Sequence, residues 1–207
     1  ATCDGQGHAD FNFKHIPAFI KLELALPEGV DKINEVTVGT AEKAFITKGT
    51  VNLEDNGKVT CTEASNEIVL KGDIGTNADG KFVTWFATTP VDLSKKVIRI
   101  TAKVNDGKTY STSFTAGSLN LEAGKLYASL FKVSLVENNG ETLAEALQNG
   151  GSVRVSDFGA DKIGLAKDNP ITLTKNVNLV VDGDLTIPEG SIKVGQNVVF
   201  TIIGDGI

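Results

Sequence analysis

Methionine is absent from the 207 residues, tryptophan occurs once, and histidine and cysteine occur twice each. With alanine at position 1 and no methionine, the chain reads as processed or excised, so any leader is out of view. His8 and His15 lie seven apart in a segment expected to be extended, which points them to opposite sides with no third ligand near, and no metal site is assigned. Cys3 and Cys61 have neither zinc-ligand spacing nor the density of a disulfide framework. Cys61, in the alternating run Lys58-Val59-Thr60-Cys61-Thr62, reads as a small buried apolar residue; a bridge to Cys3 stays open, as does lipidation of Cys3.

Positive charge is also scarce. Twenty basic residues against 26 acidic give a net charge of −6 and a pI near 5.0, which excludes wrapping a phosphate backbone and hence a nucleic-acid partner. The longest apolar stretch, 198–203, has strand length, far below the roughly 20 residues of a membrane span, so no span is expected. Five prolines against 22 glycines indicate tight turns rather than a linker, and 41% hydrophobic residues suffice for a core, which excludes disorder.

Catalytic signatures are missing as well. There is no Gly-x-Ser-x-Gly elbow, no plausibly spaced Cys-His pair and no phosphate-binding glycine loop leading into a helix. Asn77-Ala78-Asp79-Gly80 is part of a calcium-loop pattern, but Gly75 and Phe86 occupy the first and twelfth ligand positions, so the pattern fails. Asp182, Asp184 and Asp205 fall at expected corners, where a carboxylate ordinarily accepts from a nearby amide. No catalytic, cofactor-binding or metal residue is assigned, and no cofactor is implied. Alternation places Phe82 and Phe86 on one face, expected to be core, and Trp85 on the other. Trp85 is therefore the one candidate for ligand contact, by stacking on a sugar.

What is abundant is strand pattern. Short runs rich in Val, Ile, Thr and Phe are separated by Asn56-Gly57, Asp79-Gly80 and Asp106-Gly107, dipeptides that tolerate the positive φ of hairpin turns. Strands are expected at 19–26, 35–39, 43–48, 58–62, 67–70, 82–87, 97–104, 110–115 and 126–136. Their spacing predicts a meander of hairpins forming an antiparallel β-sandwich. In the seventh of them Ile98, Ile100, Ala102 and Val104 should face the core, and Arg99, Thr101 and Lys103 water.

The pattern changes at the polar segment 136–140, which divides the chain into 1–137 and 138–207. Thr142-Leu143-Ala144-Glu145 fits a capping box, and Asn149-Gly150-Gly151 a helix stop. The apolar face of Leu143, Ala146 and Leu147 suits this helix to covering the end of another element. Beyond it lies a 21-residue repeat: 176–184 aligns with 197–205, and 171–173 with 192–194. Strands at 152–155, 171–174, 177–181, 185–187, 192–194 and 198–203 with Asn and Gly at the corners fit coils of a parallel β-helix, with Leu179 against Phe200. Antiparallel hairpins compete with that reading.

The stretch Phe11-Asn12-Phe13-Lys14-His15-Ile16-Pro17-Ala18-Phe19-Ile20-Lys21-Leu22-Glu23-Leu24 resembles the start of the shared region of the Bacteroidales fimbrillin-like proteins. Lys32 to Val38, Phe82-Val83-Thr84-Trp85-Phe86 and Leu121-Glu122-Ala123-Gly124-Lys125-Leu126-Tyr127 follow that family's order of strands, over about 11–136. The resemblance implies a cell-adhesion role at the extracellular or outer-membrane surface, with glycans or fimbrial subunits as partners. It also implies strand-donating assembly after cleavage at an arginine; here the first arginine is Arg99, inside an expected core strand. Residues 140–207 resemble the opening of pectate-lyase-like right-handed β-helices, a superfamily of both polysaccharide-cleaving enzymes and passive adhesins. The leading expectation is a non-enzymatic adhesin or accessory fimbrial protein; the alternative is the N-terminal part of a β-helix carbohydrate-active enzyme, a polysaccharide lyase or glycosidase.

Overall fold

The computed structural model describes residues 15–55, 57–138 and 141–204, with short strands at 2–3 and 9–10. In chain order the strands are β1 (Thr2–Cys3), β2 (Ala9–Asp10), β3 (Ala18–Ala25), β4 (Ile33–Thr40), β5 (Phe45–Asn52), β6 (Lys58–Ser65) and β7 (Glu67–Ile74). Next come β8 (Phe82–Thr88), β9 (Val91–Asp92), β10 (Val97–Val104), β11 (Thr109–Thr115), β12 (Asn120–Leu121), β13 (Leu126–Ser134) and β14 (Val136–Glu137). After helix α1 (Leu143–Asn149) follow β15 (Gly151–Arg154), β16 (Ile171–Leu173), β17 (Val177–Val181), β18 (Ile192–Val194) and β19 (Phe200–Gly204).

Two sheets face each other across one core. The first has the order β14-β11-β10-β4-β7 and the second β13-β3-β8. The period-2 alternation of β3 sends Ala18, Ile20, Leu22 and Leu24 inward, where with Phe82 and Phe86 of β8 they meet Val36, Val38, Ile98 and Ile100 of the first sheet. Each of the larger side chains contributes about 1.5–3 kcal/mol over leaving it exposed.

The long strands of the two facing sheets are those the alternation marks, with the short β9, β12 and β14 in addition, but their order is not a meander. Gly57 and Asp106-Gly107 do lie in the turns of the hairpins β5–β6 and β10–β11, Asn56 falling outside the described residues, whereas Asp79-Gly80 lies between β7 and β8, which belong to different sheets. The second sheet is not purely antiparallel: β3 pairs parallel to β13, with Leu126 opposite Phe19. A turn dipeptide permits a reversal without dictating whether the next strand pairs or crosses to the other sheet.

Two burial expectations are overturned. Cys61 is exposed, a free thiol whose Sγ donates to the Glu63 carbonyl at 3.4 Å. The β5–β6 ribbon extends past the core, so alternation there marks no buried face. Cys3 side-chain chemistry, like His8, lies outside the described residues. On β10, Arg99 and Thr101 do not face water but are buried, at 3% and 5% exposure. The reason is that β15 lies on the outside of this sheet. A Cβ on Gly39 of β4 would stand 2.7 Å from the Ser152 Cβ, so only glycine lets the strands approach so closely.

A polar seam fills this contact. Arg99 Nη2 donates to Ser111 Oγ at 2.8 Å and to Glu141 Oε2 at 2.9 Å, and Ser111 Oγ donates to Asn138 Oδ1 at 2.7 Å. Glu67 Oε2 accepts from both Nε, at 2.9 Å, and Nη2 of Arg154, while its Oε1 accepts from Ser152 Oγ at 2.9 Å. Lys103 Nζ stands 3.1 Å from Asp157 Oδ1. Burial pushes the Asp157 carboxyl above its ordinary range, with Lys103, Arg99 and Arg154 pulling against it.

Helix α1 forms as its caps require. Thr142 Oγ1 accepts from Glu145 N at 3.2 Å, and Glu145 Oε2 accepts from Thr142 N at 2.7 Å, which pulls the Glu145 carboxyl down. Gly150 ends the helix at φ 83°. Leu143, Ala146 and Leu147 are fully buried in a second apolar cluster with Val153, Leu173, Val177 and Leu179.

The C-terminal strands pair in parallel ladders, not in hairpins. β15, β17 and β19 form one, and β16 with β18 another. Residues 171–173 match 192–194 at an offset of 21, as the repeat predicts. In the other ladder Val177 is opposite Phe200 and Leu179 opposite Ile202, an offset of 23 that replaces the expected Leu179–Phe200 pair. The cause is the corner: three residues separate β16 from β17 but five separate β18 from β19, including Asn197 at φ 62°. Two extra residues preserve the inward and outward alternation, so the shift keeps the same faces buried. Residues 185–187 are not a strand.

Candidate functional site

The outer face of the second sheet gathers the residues that carry binding chemistry. On β8, Phe82 and Phe86 point inward, 2% and 7% exposed, while Trp85 points outward at 51%. Trp85 is opposite Lys21 on β3, as the alternation of both strands requires. The next outward row brings Ala87, Phe19 and Leu126 side by side, with the His15 ring edge-on to Phe19 at 5.7 Å. The row on the other side holds Val83, Glu23 and Lys132. Glu23 links the charges, 3.4 Å from Lys21 Nζ and 3.9 Å from Lys132 Nζ.

An exposed indole beside charged donors and acceptors can stack on the apolar face of a sugar ring while Lys21, Glu23 or Lys132 meets its hydroxyls. Trp85 is readable from the sequence; Leu126, Phe19 and Lys132 join it only through strand register. His15 is exposed on the same face. Among the described residues no group of three or more His, Cys, Asp or Glu has the arrangement of a metal site. Asn77 explains the calcium-like segment: its Oδ1 accepts from Asp79 N and Lys81 N, closing a turn.

Of the corner acids, Asp182 has structural partners. Asp182 Oδ1 accepts from Ser156 N at 2.9 Å, and Oδ2 accepts from Ser156 Oγ and Arg154 Nη1. Burial works to raise its pKa, but these bonds and the guanidinium outweigh it and hold the carboxyl below its ordinary range. Burial works to lower Arg154, but its bonds and charge interaction with Glu67, and then with Asp182, outweigh it and raise the guanidinium. Asp184 is exposed, and Asp205 lies outside the described residues. Among the described residues no helix is long and apolar enough to cross a membrane.

No curated protein matches the chain significantly. Among solved structures, a candidate cell adhesion protein from Bacteroides ovatus ATCC 8483 is similar at 21% identity and TM-score 0.39, over 58% of this chain and 43% of that one. Another, from Bacteroides fragilis NCTC 9343, is similar at 20% identity and TM-score 0.39, over 61% and 46%. The chain thus spans less than half the length of either. The fimbrillin-like family model matches residues 4–146, from the N-terminal segment through both facing sheets into the first turn of α1, and on that match the chain belongs to the fimbrillin-like family.

Proposed function

We propose that this protein is a non-enzymatic adhesin or accessory fimbrial protein of the extracellular or outer-membrane surface, contacting its ligand through Trp85. The family match over residues 4–146 carries this reading. The exposed indole, flanked by the Lys21, Glu23 and Lys132 charges, supports a surface glycan as partner; fimbrial subunits are the other partner class the family implies.

In this reading residues 1–137 form a fimbrillin-like module, and 138–207 the capped first coils of a parallel β-helix. Support comes from the parallel ladders, from the position of α1 in the second apolar cluster, and from the division of the buried apolar residues into two clusters. The enzyme alternative draws less support, because Asp182 is committed to Ser156 and Arg154.

Binding of the labelled chain to a glycan array tests the proposal. Retention on at least one glycan without a carboxylate, lost in Trp85→Ala with unchanged melting temperature, is expected. Retention on no such glycan, or retention on them indifferent to Trp85, overturns Trp85 as the ligand contact.

A further inference from the structure

A second surface has binding chemistry unrelated to Trp85. Where the corner between β16 and β17 meets the first sheet, a cleft of 390 Å³ opens, lined by Lys95, Lys96, Lys175, Glu42, Thr115 and Asn176 among others. Its charge is opposite to that of the molecule. Three lysines against one glutamate face this cleft, on a chain of net charge −6. Lys96 is neutralised by its ion pair with Glu42, which leaves Lys95 and Lys175 as the uncompensated cations.

Lys95 is held there at a conformational cost. It adopts φ 63°, a left-handed conformation shared among non-glycine residues only with Asn197 in the described chain. Its amide donates to the Ala116 carbonyl at 2.9 Å, so the backbone is fixed. Left-handed geometry at a non-glycine residue is retained where surrounding structure enforces it, and such positions cluster at ligand sites. From the other side Lys175 Nζ stands 3.5 Å from the Asn149 carbonyl. Asn176 Oδ1 accepts from Val199 N at 2.9 Å, which leaves its amide N–H donors for a ligand.

We infer that this cleft binds a carboxylate-bearing saccharide, the carboxylate between Lys95 and Lys175 and the sugar hydroxyls on Asn176 and Thr115. A cleft of this size falls in the range of small-molecule sites, roughly 300–1,000 Å³, and a lone inorganic anion would leave most of it empty. No aromatic side chain lines it, so a nucleobase has nothing to stack on, whereas a hydroxylated anion finds cations, amide donors and a hydroxyl. The inference deepens the adhesin reading and rests on it for its biological role, but it uses none of the residues around Trp85.

Isothermal titration calorimetry of the whole chain with 3′-sialyllactose, and with lactose as the same sugar lacking the acidic residue, tests it. Saturable binding of 3′-sialyllactose is expected, weakened several-fold by raising salt from 50 to 500 mM as ionic contacts are screened, and lactose should give none. The double variant Lys95→Gln/Lys175→Gln should bind at least tenfold more weakly with unchanged melting temperature. Equal binding of lactose, no binding of either sugar, equal competition by sodium acetate, or full affinity in the double variant would overturn the cleft. Any of these outcomes would leave the adhesin reading, which rests on the family match, standing. Normal calorimetry from a chain that adheres to no cell surface would leave the cleft standing and remove that reading.

Discussion

Glu67 on β7 and Arg154 on β15, 87 residues apart, form a forked ion pair in which one carboxylate oxygen accepts from both Nε and Nη2. The Glu67 side chain is 7% exposed and that of Arg154 28%, so the pair joins the first sheet to the first parallel strand largely out of water. Replacing Arg154 with methionine would leave a buried carboxylate with Ser152 as its remaining partner. A loss of about 2–3 kcal/mol is expected, below the 3–5 of fully buried pairs because Arg154 is partly solvated. Arg154→Lys should recover less than half, since lysine cannot supply the fork. Urea denaturation midpoints measure both; an unchanged midpoint in Arg154→Met would show that the seam does not hold the two parts together.

Leu147 is fully buried in the second apolar cluster. Leu147→Asp should cost at least about 3–5 kcal/mol there, adding an unpaired buried charge to the lost packing. Hydrogen exchange should rise over 143–204 far more than over 18–135. Equal acceleration in both would show that the chain is not built of two modules.

Asp157 of the seam and the corner residue Asp182 should respond to pH with opposite sign. The folded-state pKa of Asp182 lies below its ordinary value near 3.8, so its stabilisation is complete above that value and fades as pH falls through the lowered one. Asp182→Asn should therefore destabilise at neutral pH, by about 1–2 kcal/mol, and the gap to the unmutated chain should close below pH 3.8. Asp157, raised above 3.8 by burial, disfavours folding above its folded pKa and loses that penalty on acidification. Asp157→Asn should then gain stability at neutral pH and lose the advantage toward 3.8. Melting temperatures from pH 2.5 to 7 check both; parallel curves for all three proteins would refute the assignment.

Strand existence was legible because alternation is local: β3, β10 and β17 begin within a residue of where their patterns do. Pairing was less legible. Nothing in 18–25 or 126–134 announces that β3 and β13 run parallel, since that choice depends on how the intervening strands are shared between two sheets. The burial of Arg99 was hidden for a related reason, because its polar face looks solvated until β15 covers it. The repeat gave the parallel stacking but misplaced the β17–β19 register by two residues, since a longer corner is silent in an aligned period. For the candidate site, Trp85 was legible from its parity on β8, and its neighbours were not, because they are contributed across the sheet.

Arg99 is 3% exposed within β10, and Arg154 is paired with Glu67 and Asp182. Neither is presented for cleavage. Trypsin treatment of the folded chain should leave monomers or small oligomers in light scattering and electron microscopy. Long filaments appearing only after cleavage would show that strand-donating assembly operates by another route.

Adherence tests the central claim most directly. Beads coated with the whole chain, with Trp85→Ala and with an unrelated β-rich protein are to be counted on epithelial monolayers under flow. The unmutated chain should hold several-fold more beads than the unrelated protein, and Trp85→Ala should lose most of that excess. Equal counts for all three would contradict the adhesin reading.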